Sequence, residues 1–128
     1  MPITYERHDE TRRIRVTASG VLTLRDILAV IDRQLAEGAW TYSILYDAHD
    51  LTAMPSADEV RKLAARVEAL AQKHGRRGAI AIVTSSDAVY GTSRMYAALS
   101  EQPGQTISVF RAFDEAERWL AGEQAPQD

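Results

Sequence analysis

Ser43-Ile-Leu-Tyr-Asp47-Ala-His-Asp50-Leu-Thr-Ala-Met-Pro-Ser56 decides the fold: an apolar strand over Tyr42 to Tyr46 empties into an acidic loop, and a capped helix follows directly. Ser56 with Glu59 three residues on is a capping box, so that helix opens with its free amide groups facing the strand's exit. In an open α/β sheet such a junction is where binding sites form. The run from Tyr42 to Tyr46 is continuous enough to be buried on both faces, which places it centrally in the sheet.

Downstream, the helix opened by Ser56 carries Val60, Leu63, Ala64, Val67, Leu70 and Ala71 at helical spacing and stops at Gly75. Lys73, His74, Arg76 and Arg77 around that stop read as cations complementing a helix C-terminus. Gly78 to Thr84 is a run of small and β-branched residues, as a buried parallel strand requires. Ser85-Ser86-Asp87 caps the next helix, which runs towards Ser100 with Ala88, Gly91, Thr92, Met95 and Leu99 facing inward, Gly91 allowing a close approach to the sheet. Pro103-Gly104 breaks it. Thr106 to Arg111 is the last strand, and Asp114 caps a final helix that packs back through Ala116, Trp119 and Leu120.

Upstream, Ile3 to Arg7 and Ile14 to Ser19 alternate apolar with polar side chains and pair as antiparallel, half-buried strands. Gly20 breaks the second of them. Thr23-Leu-Arg-Asp26 is another capping box, opening a helix with Leu24, Ile27, Leu28, Ile31 and Leu35 on one face and Gly38 at its end. The order β-β-α-β-α-β-α-β-α demands crossover connections. It predicts an α/β protein built on one layer of mixed, mostly parallel β-sheet, about five strands with about four helices. One domain spans residues 1–121, and 122–128 form a mobile polar tail.

Composition narrows the function. With 128 residues, 45% apolar and 26% charged, the chain is an ordinary globular domain. It contains no cysteine, which excludes thiol nucleophiles, disulfides and thiolate metal sites, and His8, His49 and His74 lack metal-ligand spacing. No metal and no cofactor are therefore expected. A net charge of −3, with Lys and Arg balanced by acidic residues, argues against a broad nucleic-acid surface, and no apolar run is long enough for membrane insertion or a secretory signal, so a cytoplasmic location is expected.

Gly20 with Thr23-Leu-Arg-Asp26, the segment Leu45 to Leu51, Val89-Tyr90-Gly91-Thr-Ser-Arg94-Met95-Tyr96, and Val109-Phe-Arg with Glu115-Ala-Glu-Arg-Trp119-Leu120 together resemble the SpoIIAA-like branch of STAS domains over nearly the whole chain. The resemblance implies a non-enzymatic module that binds a regulatory partner protein, often switched by phosphorylation at a helix start. In the antagonist group the phosphorylated serine belongs to an Asp-Ser-Ser-Gly-type turn. That turn falls here on Pro55-Ser56-Ala57-Asp58 and puts Ala57 at the acceptor position. Ser56 lies one residue early, with its hydroxyl accounted for as a helix cap. The branch is also similar in fold to lipid-binding Sec14-type domains, which implies a small anionic or lipid-like ligand as the alternative to a protein partner.

The candidate partner- or ligand-binding residues are Asp47, His49, Asp50, Ser56, Tyr90 and Arg94. Two carboxylates beside an imidazole could form an acid/base or metal pocket, but an Asp after a strand more commonly accepts backbone N–H bonds in the next turn. Tyr90 and Arg94, four apart on the helix face opposite Met95, should be exposed near a helix start at the rim of the sheet. Both residue types suit a docking hot spot, and Arg94 could hold an anion, the head of an enclosed ligand, or ion-pair with Asp47, Asp50 or Asp87. No catalytic residue is expected: there is no Gly-x-Ser-x-Gly elbow, Walker loop or dinucleotide fingerprint, and the lysine that a receiver domain needs near its last strand is missing from Thr106 to Phe113. A sheet edge leaves homodimerisation open.

Overall fold

The computed structural model describes residues 3–99 and 106–124. Alternating side chains make β1 (Ile3–His8) and β2 (Arg13–Val21) an antiparallel pair, with Tyr5 opposite Val16. The chain continues through α1 (Leu24–Ala36), β3 (Ser43–Ala53), α2 (Ala57–His74), β4 (Ile80–Val83), α3 (Asp87–Leu99), β5 (Ile107–Phe110) and α4 (Phe113–Gln124). The sheet order is β1-β2-β3-β4-β5, parallel from β2 onward. The mixed, mostly parallel α/β sheet expected from the element order is therefore present, with β3 at its centre.

Strands added always in the same direction, each by a right-handed crossover, put every crossover helix on one face. On that face Ile14, Val16, Ile44, Ile80, Ile82 and Val109 pack with Val30 of α1 and Val89 of α3, and a second cluster joins α2 to Ile31 and Tyr96, with Ile27 and Ile107 packed against both. The other face carries α4 alone, where Ala116 and Leu120 cover Leu45, Ala81 and Val83. Arg13 on that face is ion-paired with Glu117 of α4.

Several boundaries differ from the sequence expectation for identifiable reasons. β3 does not end at Tyr46: it runs to Ala53, because the far part of β2 pairs with it after β4 has stopped at Val83, with Thr17 opposite Asp47, Ser19 opposite Asp50 and Val21 opposite Ala53. The supposed acidic loop is thus a strand segment. Gly20 does not break β2 either. Its φ of +70° supplies the irregular step between Gly20 and Val21 at which the register shifts.

The inward face of α3 is rotated from the one expected. Val89, Ser93 and Tyr96 are buried, whereas Ala88, Gly91 and Leu99 are exposed, and a Cβ at Gly91 would meet nothing. Burial of the Val89 and Tyr96 side chains, in place of the expected Ala88 and Gly91, releases more apolar surface from water. Helix α4 begins at Phe113, so Asp114 sits in its first turn rather than capping it, and the helix continues past Gly122 to Gln124. Ser100, the Pro103-Gly104 break and the last four residues of the expected tail lie outside the described residues.

Candidate functional site

All four helices start at the C-terminal edge of the parallel strands, and the six candidate residues lie around the starts of α2, α3 and α4 on two sides of the sheet. On the α4 side, Asp47 Oδ1 accepts from the His49 backbone N–H at 3.2 Å and lies 3.3 Å from His49 Nδ1. Its other oxygen is 3.6 Å from Arg15 Nη2. The His49 ring stacks on Phe113 at 4.9 Å between centroids, and the Arg15 guanidinium lies over the same phenyl ring at 5.2 Å. His49 thus stacks on the first residue of α4, and Asp47 is held between His49 and Arg15 of β2. Asp50 is exposed and makes no side-chain hydrogen bond or ion pair among the described residues.

On the opposite side, Ser56 caps α2. Its Oγ accepts from the Glu59 N–H at 3.3 Å and donates to Glu59 Oε1 at 3.1 Å, while its own N–H donates to the same carboxylate at 3.1 Å. The hydroxyl is wholly engaged by the box, one residue before Ala57. Ser56→Ala is expected to lower stability by about 1 kcal/mol, the usual worth of such a cap, measured as a shift in the urea midpoint.

Ser86 performs the same service for α3, its Oγ accepting from the Val89 N–H at 3.2 Å. One turn on, Tyr90 packs against the core and is half-buried rather than fully exposed, with the Arg111 guanidinium 4.1 Å above its ring and that of Arg94 at 6.0 Å. Arg111 is itself anchored, donating to Ser85 O at 3.2 Å and pairing with Asp87 at 2.9 Å. Arg94 is exposed and forms no ion pair among the described residues; Asp47 pairs with Arg15 and Asp87 with Arg111.

The candidate residues therefore fall into groups: Asp47 with His49, Tyr90 with Arg94, and Ser56 and Asp50 each apart. No side-chain hydrogen bond, ion pair or ring contact among the described residues joins them. Arg15, Arg111 and Phe113, which tie the first two groups to the sheet, escaped the sequence reading. An Arg in the strand beside Asp47 and an Arg-Ala-Phe ending the last strand were the available signals. Among the described residues no three His, Asp or Glu side chains are grouped to hold a metal, and no helix is long and apolar enough to cross a membrane.

Arg77 is a plain correction. It does not complement the end of α2 but turns into the core, 3% exposed, whereas Lys73, His74 and Arg76 stay outside. Its Nε donates to the buried Gln34 Oε1 at 2.9 Å, and its guanidinium lies over Trp40 at 5.4 Å. Burial pushes the neighbouring Tyr46 phenol up to about 12, against an opposing pull from Arg77.

No protein-family model matches the sequence, and no curated protein matches it significantly. Solved structures do match in fold. A protein of the DUF3478 family with a SpoIIAA-like fold from Shewanella loihica PV-4 is 20% identical, with a TM-score of 0.57 over 92% of this chain and 91% of that one. The anti-sigma factor antagonist SpoIIAA in its unphosphorylated form is 18% identical, with a TM-score of 0.54 over 94% and 98%. An anti-sigma factor antagonist from Mycobacterium paratuberculosis is 17% identical, with a TM-score of 0.60 over 93% and 92%. The chain has the SpoIIAA-like fold.

Proposed function

We propose that this chain is a non-enzymatic, cytoplasmic regulatory module that docks a partner protein through the rim above the C-terminal strand ends. Tyr90 and Arg94 are its anchors, with Asp47, His49, Asp50 and Ser56 flanking them. The observation that carries this reading is the Tyr90 ring with two guanidinium groups near it, that of Arg111 at 4.1 Å and fixed by Asp87, that of Arg94 at 6.0 Å and without an ion pair among the described residues. A rigid aromatic beside a free arginine is the composition of an interface hot spot, and the unpaired charge favours an acidic partner surface. The fold shared with two anti-sigma factor antagonists supports regulation over catalysis.

A phosphoryl switch at the start of α2 is not part of this reading, because Ala57 has no hydroxyl and that of Ser56 is engaged by Glu59. Affinity capture with the wild-type chain should retain a protein that Tyr90→Ala and Arg94→Ala each lose. Arg61→Ala, on an exposed face of α2, should keep it. Loss of a hot-spot side chain costs about 2 kcal/mol or more, roughly thirtyfold in affinity. Equal retention by all four proteins would remove the rim as the docking surface.

A further inference from the structure

The parallel strands enter the sheet at the edge opposite the rim, and their entries border one open cleft of about 780 Å³. Its walls come from the β1–β2 turn, the α1–β3 and α2–β4 connections, Thr106 before β5, and α4. Four arginines line it, Arg12, Arg13, Arg76 and Arg77, against one acid, Glu117, which is itself paired with Arg13. In a chain of net charge −3 this is a concentration of positive charge that composition conceals. Asp9 and Glu10, from the same turn as Arg12, are not part of the lining.

Two of these arginines are held by hydroxyl groups. Arg12 Nη2 donates to Thr41 Oγ1 at 2.7 Å, and Arg76 Nη2 donates to Thr106 Oγ1. Both side chains are exposed, and Arg76 has no carboxylate partner among the described residues. Arg12 has a φ of +52°, the one non-glycine in the left-handed region among the described residues, and its N–H closes the turn on Asp9 O at 3.2 Å. Such a position favours glycine or asparagine; here it holds a long cation beside the cleft. Arg77 lies behind the wall, 3% exposed, so it touches no ligand, but its buried charge raises the potential in front of it.

The two guanidinium–hydroxyl pairs stand at the entries of β3 and β5, two strand spacings or roughly 10 Å apart. A single phosphate ion can reach one pair, whereas a chain of phosphoryl groups spans both. The guanidinium fork and the threonine O–H each donate to phosphoryl oxygens. The carbon walls are the small Gly78, Ala79 and Ala121, and no aromatic residue belongs to the lining, so neither an acyl chain nor a nucleobase finds a surface there.

We infer that this cleft binds an oligophosphate chain, one end on Arg12 with Thr41 and the other on Arg76 with Thr106. None of the six rim residues lines it, so the site stands or falls independently of the docking surface.

Calorimetric titration of the purified full chain with sodium tripolyphosphate at low ionic strength tests this. The expected result is one-to-one binding with a dissociation constant below about 100 μM. Inorganic phosphate, which reaches one pair, and citrate, which matches the charge without phosphoryl groups, should each bind at least about tenfold more weakly. ATP should bind no more tightly than tripolyphosphate, since its base meets no partner. Arg12→Gln and Arg76→Gln should each weaken binding by about tenfold or more while unfolding cooperatively like the wild type. Lys62→Gln removes the same charge from an exposed face of α2 outside the cleft and should change affinity by less than about twofold. Absence of saturable heat, equal affinity for phosphate or citrate, much tighter binding of ATP, or an equal loss in Lys62→Gln would each overturn the assignment.

Discussion

Gly78→Ala should lower the stability of the fold by at least about 3 kcal/mol, which for a chain of this size displaces the thermal midpoint by roughly 10 °C or more. A Cβ at this position would stand 2.0 Å from Tyr42 O, 2.4 Å from Tyr42 C and 2.6 Å from Thr41 O. All three are backbone atoms, so no rotamer change can relieve the overlap. The chain segments must part instead, and their separation would stretch the Gly78 N–H to Trp40 O bond of 3.0 Å and the Ile44 N–H to Ala79 O bond of 2.8 Å, which lock the entries of β3 and β4 together. Both strands are central, so the disturbance reaches the core through Ile44 and Ile80. Gly91→Ala provides the contrast. Gly91 lies exposed on α3 with open space around its Cα, and alanine there should stabilise by about 0.5 to 1 kcal/mol. Urea unfolding of the two variants beside the wild type checks both signs, and a Gly78→Ala midpoint within error of wild type would show that the two backbones are not held at this separation.

Local rules that depend on a few neighbouring residues were readable from the sequence. The two capping boxes, at Thr23 with Asp26 and at Ser56 with Glu59, are formed as their spacing required, and the alternation of Ile3 to Arg7 and Ile14 to Ser19 gave an antiparallel pair. The element order then fixed the direction of each crossover. What local rules could not reach was any property decided by a distant partner. The length of β3 depends on β2 extending beside it past the end of β4, and nothing within Asp47 to Ala53 announces that. The facing of α3 depends on which side chains fill the space above Ile82 and Val109, and the helical period of Ala88, Gly91, Thr92, Met95 and Leu99 does not decide that. At the candidate site, Asp47 and Tyr90 were visible as residue types. Their partners Arg15, Phe113 and Arg111 come from other strands and helices, and only the folded register brings them within reach. Arg77 was hidden most completely, because a basic residue after a helix-ending glycine normally stays in water.

The cost of replacing Gln34 shows how firmly that hidden arginine is built in. Gln34 is completely buried on α1, and its Nε2 donates to Ala39 O at 2.9 Å and Trp40 O at 3.3 Å while its Oε1 accepts from Arg77 Nε. One amide thus ties the end of α1, the connection to β3 and the lead into β4. Gln34→Leu fills a similar volume but takes one of two donors from each of the Ala39 and Trp40 carbonyls and leaves the Arg77 Nε–H without this partner in the interior, a loss expected at about 2 to 3 kcal/mol. Arg77→Met removes the charge and orphans the amide oxygen in turn. If the two side chains act as one buried unit, combining the substitutions replaces both members by apolar groups. The double variant should then be more stable than the summed single losses imply, by at least about 1 kcal/mol. Urea unfolding of the four proteins closes this cycle. Strict additivity would mean that Gln34 supports only the α1 to β3 connection, and that Arg77 is held in the core by its stacking on Trp40 rather than by the amide.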